Sequence, residues 1–339
     1  MRVTRIAPDD LAPTTWERLA GGSFFGSRGF LELWRSAGGR PVVWLAELDG
    51  APGAMVPGVE YGIGPFTSFV SLPDGCYGGA YSDPALGAER PVAARGLLDA
   101  IARRHYARSW VFDYYASALQ HPGFSAARME TTLADISDPD WVPPDRKLNS
   151  QIRRARREGI ALQRFEWARH HDGFLALVRG TARHHRVRPR YAAATYRALA
   201  RLAERDERVR WVYCQHDGRP ASSHIYFVER DTMLAWQSHF DRAFSFLKPN
   251  QYIRFAQCRD VAREGVRWLN LGSTPAAARG VAYYKARWGG QRVSFVSWTR
   301  FEGLGALAAR RGGAAPQPAA APVPAEVAGT SLRATRWWS

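Results

Sequence analysis

Lysine is the scarce cation of this chain: only Lys147, Lys248 and Lys285 among 47 Lys and Arg residues. A compact, strongly hydrated ammonium is not interchangeable with a planar guanidinium, so the placement of the three asks for a reason. Lys285 lies in GVAYYKARWGG, Lys248 in FLKPNQYIRFAQ and Lys147 in KLNSQIRRARREG. Lys248 stands just before Pro249, a helix-opening residue. A strand, MLAWQSHFD, and a loop, RAFSFL, come before it. A helix N-terminus offers unpartnered N–H groups and partial positive charge to an anion. A cation there works against the helix unless an anion is expected. Lys248, with Asn250 and Gln251 in the first turn, is therefore a candidate holder of phosphates.

Strand alternation supplies candidate bases. In AWQSHFD, Gln237, His239 and Asp241 share a face; in ASSHIYF, Ser222, His224 and Tyr226 do. If strand pairing puts those faces on one side, His224 and His239 line one cleft, with Asp241 at its end. Histidine is the commonest base for taking the proton of an attacking amine. The doublets His170–His171 and His184–His185 lie in Arg-rich helical sequence and read as surface. No metal spacing is present, and Cys76, Cys214 and Cys258 read as buried thiols.

The stretch 146–157 packs six basic residues into twelve positions. At about 100° per residue Arg146, Arg153 and Arg157 share a helix face, with Lys147 and Arg154 beside them. That row, Lys147, Arg153 and Arg154 included, suits phosphate contacts. It lacks the aromatic interleaving of RNA-recognition surfaces.

The elements that must position these groups are legible in outline. The chain of 339 residues is long enough for two domains, and its apolar content supports packed cores. Residues 1–145 carry a net charge of −5 and residues 146–304 a net charge of +18. The first lobe reads as a helix (SRGFLELWRSAG), strands PVVWLAEL, GAMVPGVEYG and TSFVSL, a helix from Pro91, and strands SWVFDYYA and ARMETTLADI. The second reads as helices RKLNSQIRRARREG, DGFLALVRGTARHH and YAAATYRALARLAER, a three-stranded meander over 208–240, a helix from Pro249, strand VRWLNLG, helix YYKARWG and strand QRVSFVSWTRF. Both lobes are mixed α/β, with a helix before an antiparallel meander. From 305 to 339 the sequence is an Ala/Pro-rich, disordered tail ending in RWW. No signal peptide and no ~20-residue apolar span is evident, so a cytoplasmic protein is expected.

The order of RKLNSQIRRARREG, GRPASSHIYF, LKPNQYIRFAQ, LNLGSTP and GVAYYKARWGG resembles the Fem family of peptidoglycan bridge-forming aminoacyltransferases and the related GNAT-type acetyltransferase family. The likeness covers roughly residues 20–300 and is stronger in the second lobe. It implies two GNAT-like lobes, each a mixed, largely antiparallel sheet flanked by helices. It also implies transfer of an acyl or aminoacyl group to an amine acceptor. The co-substrate would be acyl-CoA or an aminoacyl-tRNA, with no bound cofactor and no metal. Tyr284 and Lys285 align with the family's aromatic–Lys pair. That pair places Lys285 at the donor ester and its developing oxyanion, which a compact ammonium can reach. Two departures stand out: the GNAT pyrophosphate loop Q/R-x-x-G-x-G/A is replaced by RAFSFLKPN, and the long coiled-coil arm of some Fem enzymes is missing. Envelope precursors, exopolysaccharides and small amino compounds all suit as acceptors. Two rival readings are a non-catalytic RNA-binding module using the basic lobe, and a peripheral protein on an anionic membrane held by that lobe and the RWW tail.

Overall fold

The computed structural model describes residues 1–73, 76–113, 121–274 and 278–303. The expected tail, 305–339, and Pro275 of LNLGSTP lie outside them. The chain divides into two compact units, Met1–Glu130 with the stretch from Val293, and Thr131–Arg292. The division thus falls at 130, where the charge break suggested 145, and the last strand returns to the first unit.

The first unit runs β1 (Arg2–Ile6), α1 (Pro13–Ala20), α2 (Arg28–Leu33), β2 (Arg40–Leu48), β3 (Ala51–Tyr61), β4 (Ser68–Val70), β5 (Tyr81–Ser82), α3 (Arg90–Arg103) and β6 (Arg108–Asp113). β7 (Ser125–Asp135) carries the chain into the second unit. There follow α4 (Arg146–Arg157), β8 (Ala161–Arg164), α5 (Trp167–His184), α6 (Ala193–Arg205), β9 (Val209–His216), β10 (Arg219–Glu229) and β11 (Thr232–Phe240). α7 (Pro249–Arg263), β12 (Trp268–Ser273) and α8 (Arg279–Ala286) complete that unit, and β13 (Gln291–Phe301) returns to the first.

In the first unit β1, β2, β3 and β4 pair antiparallel in succession, β4 pairs β6 in parallel, and β6 pairs antiparallel with β13. In the second, β8, β9, β10 and β11 pair antiparallel, β11 pairs β12 in parallel, and β12 pairs antiparallel with β7. The strand order is the same. Each sheet is mixed, largely antiparallel and flanked by helices. The first is closed by a strand from beyond the second unit's sequence, the second by the strand in which the chain passes from one unit to the other.

Local chemistry explains the elements. Asp49–Gly50 and Asp217–Gly218 all take positive φ, which a two-residue hairpin turn requires, and they join β2 to β3 and β9 to β10. Pro13 and Pro249 open α1 and α7, where a missing N–H costs nothing. Ser27 caps α2 by accepting from Phe30 N, and Asp145 caps α4 by accepting from Leu148 N at 2.6 Å. The first core gathers Trp44, Val56, Phe69, Leu97, Ile101 and Trp298. The second gathers Leu148, Ile152, Tyr226, Met233, Ile253, Val261 and Trp288. All three cysteines are buried, and none forms a disulfide among the described residues. No helix among the described residues is long and apolar enough to cross a membrane.

Candidate active site

The site is made where a parallel pair of strands stops pairing. β11 and β12 run in register at Thr232–Trp268, Met233–Leu269 and Leu234–Asn270, and the ladder ends there. Two local features end it. β11 carries a bulge, so that Ile225 pairs Gln237 while the next residue of β10, Tyr226, pairs Ala235. β12 passes through Gly272 at φ 74, a left-handed conformation that glycine adopts without strain. Asn270 Oδ1 fixes that turn by accepting from Gly272 N at 2.7 Å and from Thr131 Oγ1 at 2.6 Å. Beyond Leu234, β11 turns a backbone edge toward a cavity of about 180 Å³, lined among others by Tyr226, Gln237, Ser238, Arg254, Tyr284 and Lys285.

Helix α8 delivers Lys285. The side chain is only 5% exposed. Its Nζ donates to the carbonyl oxygens of Gly272, at 2.6 Å, and Ser273, at 2.8 Å, leaving one N–H for another acceptor. Burial, reinforced by the nearby Arg254 charge, pulls the amine down to about 8 from the ordinary 10.5. Helix α7 delivers Arg254, 8% exposed, whose Nη1 donates to Tyr284 Oη at 2.6 Å. The guanidinium also lies over the rings of Tyr284 and Trp288, each centroid 5.4 Å away.

Behind the cavity runs a buried chain of hydroxyl, imidazole and amide. Asn250 Oδ1 accepts from Ser222 Oγ at 2.6 Å and faces His224 Nε2 at 3.0 Å, so Nε2 carries the proton. Nδ1 of the same ring lies 2.7 Å from Tyr226 Oη and accepts its hydrogen. His224 is thus a neutral ring with both nitrogens engaged. Burial, then the Arg254 charge, pushes it down to about 3.

The two candidate histidines are not brought together. His224 pairs Ser238 and His239 pairs Ser223, so in an antiparallel ladder they point to opposite faces. His224 faces α7. His239 faces α5 and α6, with the rings of Phe174 and Tyr196 at 5.7 and 6.5 Å. Its Nε2 meets Gln237 Oε1 at 3.2 Å, and burial pulls it down to about 4. Asp241 is occupied as a cap, its Oδ1 accepting from Ala243 N at 2.9 Å.

Lys248 caps α7 in a left-handed conformation, φ 56, and its carbonyl oxygen accepts from Gln251 N at 3.1 Å. Asn250, read as a phosphate contact, turns its oxygen inward to His224. Lys147, Arg153 and Arg154 are exposed on α4, whose buried stripe is Leu148, Ile152 and Ala155. Of the expected site residues only Tyr284 and Lys285 line the cavity. His170, expected at the surface, is buried: its Nδ1 accepts from Glu166 N at 3.0 Å, and it stacks on Tyr213 at 4.6 Å. It serves the start of α5, where a backbone N–H needs an acceptor.

Arg254 was missed in the sequence. Its signal was present: on α7 it stands in the buried stripe with Cys258 and Val261, at i, i+4 and i+7, where an apolar residue belongs.

Residues 146–303 match the model of the acetyltransferase (GNAT) domain family. No curated protein matches the chain significantly. Among solved structures, FemX superposes with a TM-score of 0.65 at 12% identity, covering 92% of this chain and 99% of that one. L-PGS from Bacillus licheniformis gives 0.57 at 11%, covering 90% and 98%. A tandem GNAT protein from the clavulanic acid biosynthesis pathway gives 0.51 at 13%, covering 89% and 98%. The chain resembles the Fem-like part of the GNAT superfamily, and its fold is that of two GNAT-like lobes.

Proposed function

We propose that the chain is an N-acyltransferase, taking an acyl or aminoacyl group from acyl-CoA or an aminoacyl-tRNA to an amine. The observation that carries this reading is the opening of β11 from β12 beside Lys285. An extended donor laid along the free edge of β11 finds backbone N–H and C=O groups in place. Its reactive carbonyl then lies within reach of an ammonium already oriented by two carbonyl oxygens.

The amine nitrogen attacks that carbonyl carbon and a C–N bond forms. The oxygen takes the electron pair, and the remaining N–H of Lys285 stabilises the oxyanion. Collapse breaks the C–S bond of a thioester or the C–O bond of an ester. The departing sulfur or oxygen takes the proton that the amine sheds. His224 has no free nitrogen for that proton, and His239 looks to the other face. The acceptor belongs to the cell envelope or is a small amino compound, and the reaction is cytoplasmic.

The test is a titration of purified protein with acetyl-CoA, a long-chain acyl-CoA, and charged and uncharged bulk tRNA, at two salt concentrations. Saturable binding of an acyl-CoA, or preference for charged over uncharged tRNA, supports the reading and selects the donor. Equal binding of both tRNA forms with none of CoA overturns it in favour of plain RNA binding.

A further inference from the structure

Among the described residues the cavity is lined by two buried cations and no anion. Arg254 and Lys285 are each more than nine-tenths buried. Among the described residues neither meets a carboxylate: Lys285 donates to two backbone carbonyls, and Arg254 to a tyrosine hydroxyl. Arg254 Nε has no hydrogen-bond partner among the described residues. Other buried charges of the molecule are treated differently. Glu60 is held by two arginines, and Glu229 lies 3.7 Å from Arg230. Leaving a charge buried and unpaired costs several kcal/mol, and placing two of like sign together adds to it. A fold that accepts this at the wall of a cavity is prepared for a counter-ion.

We infer that this cavity receives an anionic oxygen group of the substrate, a carboxylate or a phosphate, held by Arg254 within the field of the Lys285 charge. The inference rests on the transferase reading and narrows its substrate. A transient oxyanion occupies one cation at the moment of reaction. The second needs a charge present from the start. Ser238 on the same wall adds a neutral hydroxyl, whereas Tyr226 spends its hydrogen on His224 Nδ1 and turns its oxygen to Arg254. The space of about 180 Å³ exceeds the roughly 30 Å³ share of a single water. An ammonium in the same position is repelled, so a free α-amino group of an aminoacyl donor must point elsewhere. A carboxylate marks an acyl chain that ends in an acid; a phosphate marks the nucleotide part of the donor.

The test uses the full chain at pH 7 and matched ionic strength, with sodium succinate, inorganic phosphate or sodium chloride. Succinate or phosphate at tens of millimolar should raise Tm by about 3–5 °C over chloride. Arg254→Met should abolish the rise, and Arg254→Lys, which keeps the charge, should retain it. Preference for succinate assigns the acidic acyl chain, and preference for phosphate the nucleotide. With only three lysines in the chain, lysine-labelled NMR gives a second reading that no variant's misfolding can spoil. On anion binding, the Lys285 titration should move upward. Equal Tm in all three salts together with an unmoved Lys285 titration, or a rise that survives Arg254→Met, overturns the inference. Transfer activity without an anion response sinks this inference alone. An anion response without transfer to any amine sinks the transferase reading and leaves the anion site standing.

Discussion

The two units share a strand order and differ where their parallel strand pairs end. In the second, the parallel pair β11–β12 stops at Leu234–Asn270 and leaves a cavity. In the first, the parallel pair β4–β6 runs on past its last register pair, Val70–Trp110. Ser71 N donates to Trp110 O at 2.8 Å, and Ser71 Oγ accepts from Phe112 N at 3.0 Å, closing the seam. Buried charge divides the same way. Glu60 accepts from Arg5 Nε and Nη2 at 2.7 Å, from Arg40 Nε at 2.9 Å, and from Tyr106 Oη. Burial alone would raise its carboxyl, yet these hydrogen bonds hold it at about 2. Saturated charge fixes a sheet; unsaturated charge beside a gap leaves room for a ligand. One architecture thus yields a brace in one copy and a site in the other.

Four experiments would break or sharpen that contrast. The largest effect belongs to the brace. Glu60→Ala should cost about 3 kcal/mol, because it leaves Tyr106 Oη unpaired in the core and removes the counter-charge of half-buried Arg5, while the exposed Arg40 rehydrates. Chemical denaturation measures it, and donor binding by the folded fraction should be unchanged. Next is Lys285→Ala, which should lower turnover about 10²-fold, the scale of one lost oxyanion donor, with the circular dichroism spectrum preserved. Full activity in that variant would remove Lys285 from the chemistry. The wild-type rate should also fall as pH rises through about 8, where the Lys285 ammonium discharges.

Ser71→Ala should cost about 1–3 kcal/mol by leaving Phe112 N–H unpaired, and should create no donor site in the first unit. The effect that vanishes at neutral pH is the one on acid stability. His224 and His239 are depressed from 6.5 to about 3 and about 4, so the unfolded chain takes up protons first. Their contribution is complete above about 6.5 and is lost as pH falls toward those values. His224→Gln should flatten the Tm profile over that window; an unchanged profile would show that His224 ionises freely.

Periodicity and turn chemistry made most of the fold legible: the DG hairpins, the Pro-started helices and the three-stranded meander all stand where their residues put them. β1, α1, β5 and β8 were not read, being short or weakly patterned, and α5 begins earlier than its sequence suggested. The scarcity of lysine pointed to Lys285, which does line the cavity. The histidines misled because alternation fixes faces within a strand, whereas register decides which faces coincide. A bulge in β11 shifts that register, and no residue pattern announces it. Asn250 misled for a related reason, since a helix N-terminus can spend its side chains inward on His224.

The closing strands have a consequence for biogenesis. Among the described residues β6 gains its antiparallel neighbour from β13, residues 291–301, so the first unit emerges from the ribosome with an open edge. It must wait, unfinished, until the whole second unit has been synthesised. Truncation at residue 290 should therefore leave an aggregation-prone product in which the amino-terminal half, although entirely present, cannot complete its sheet.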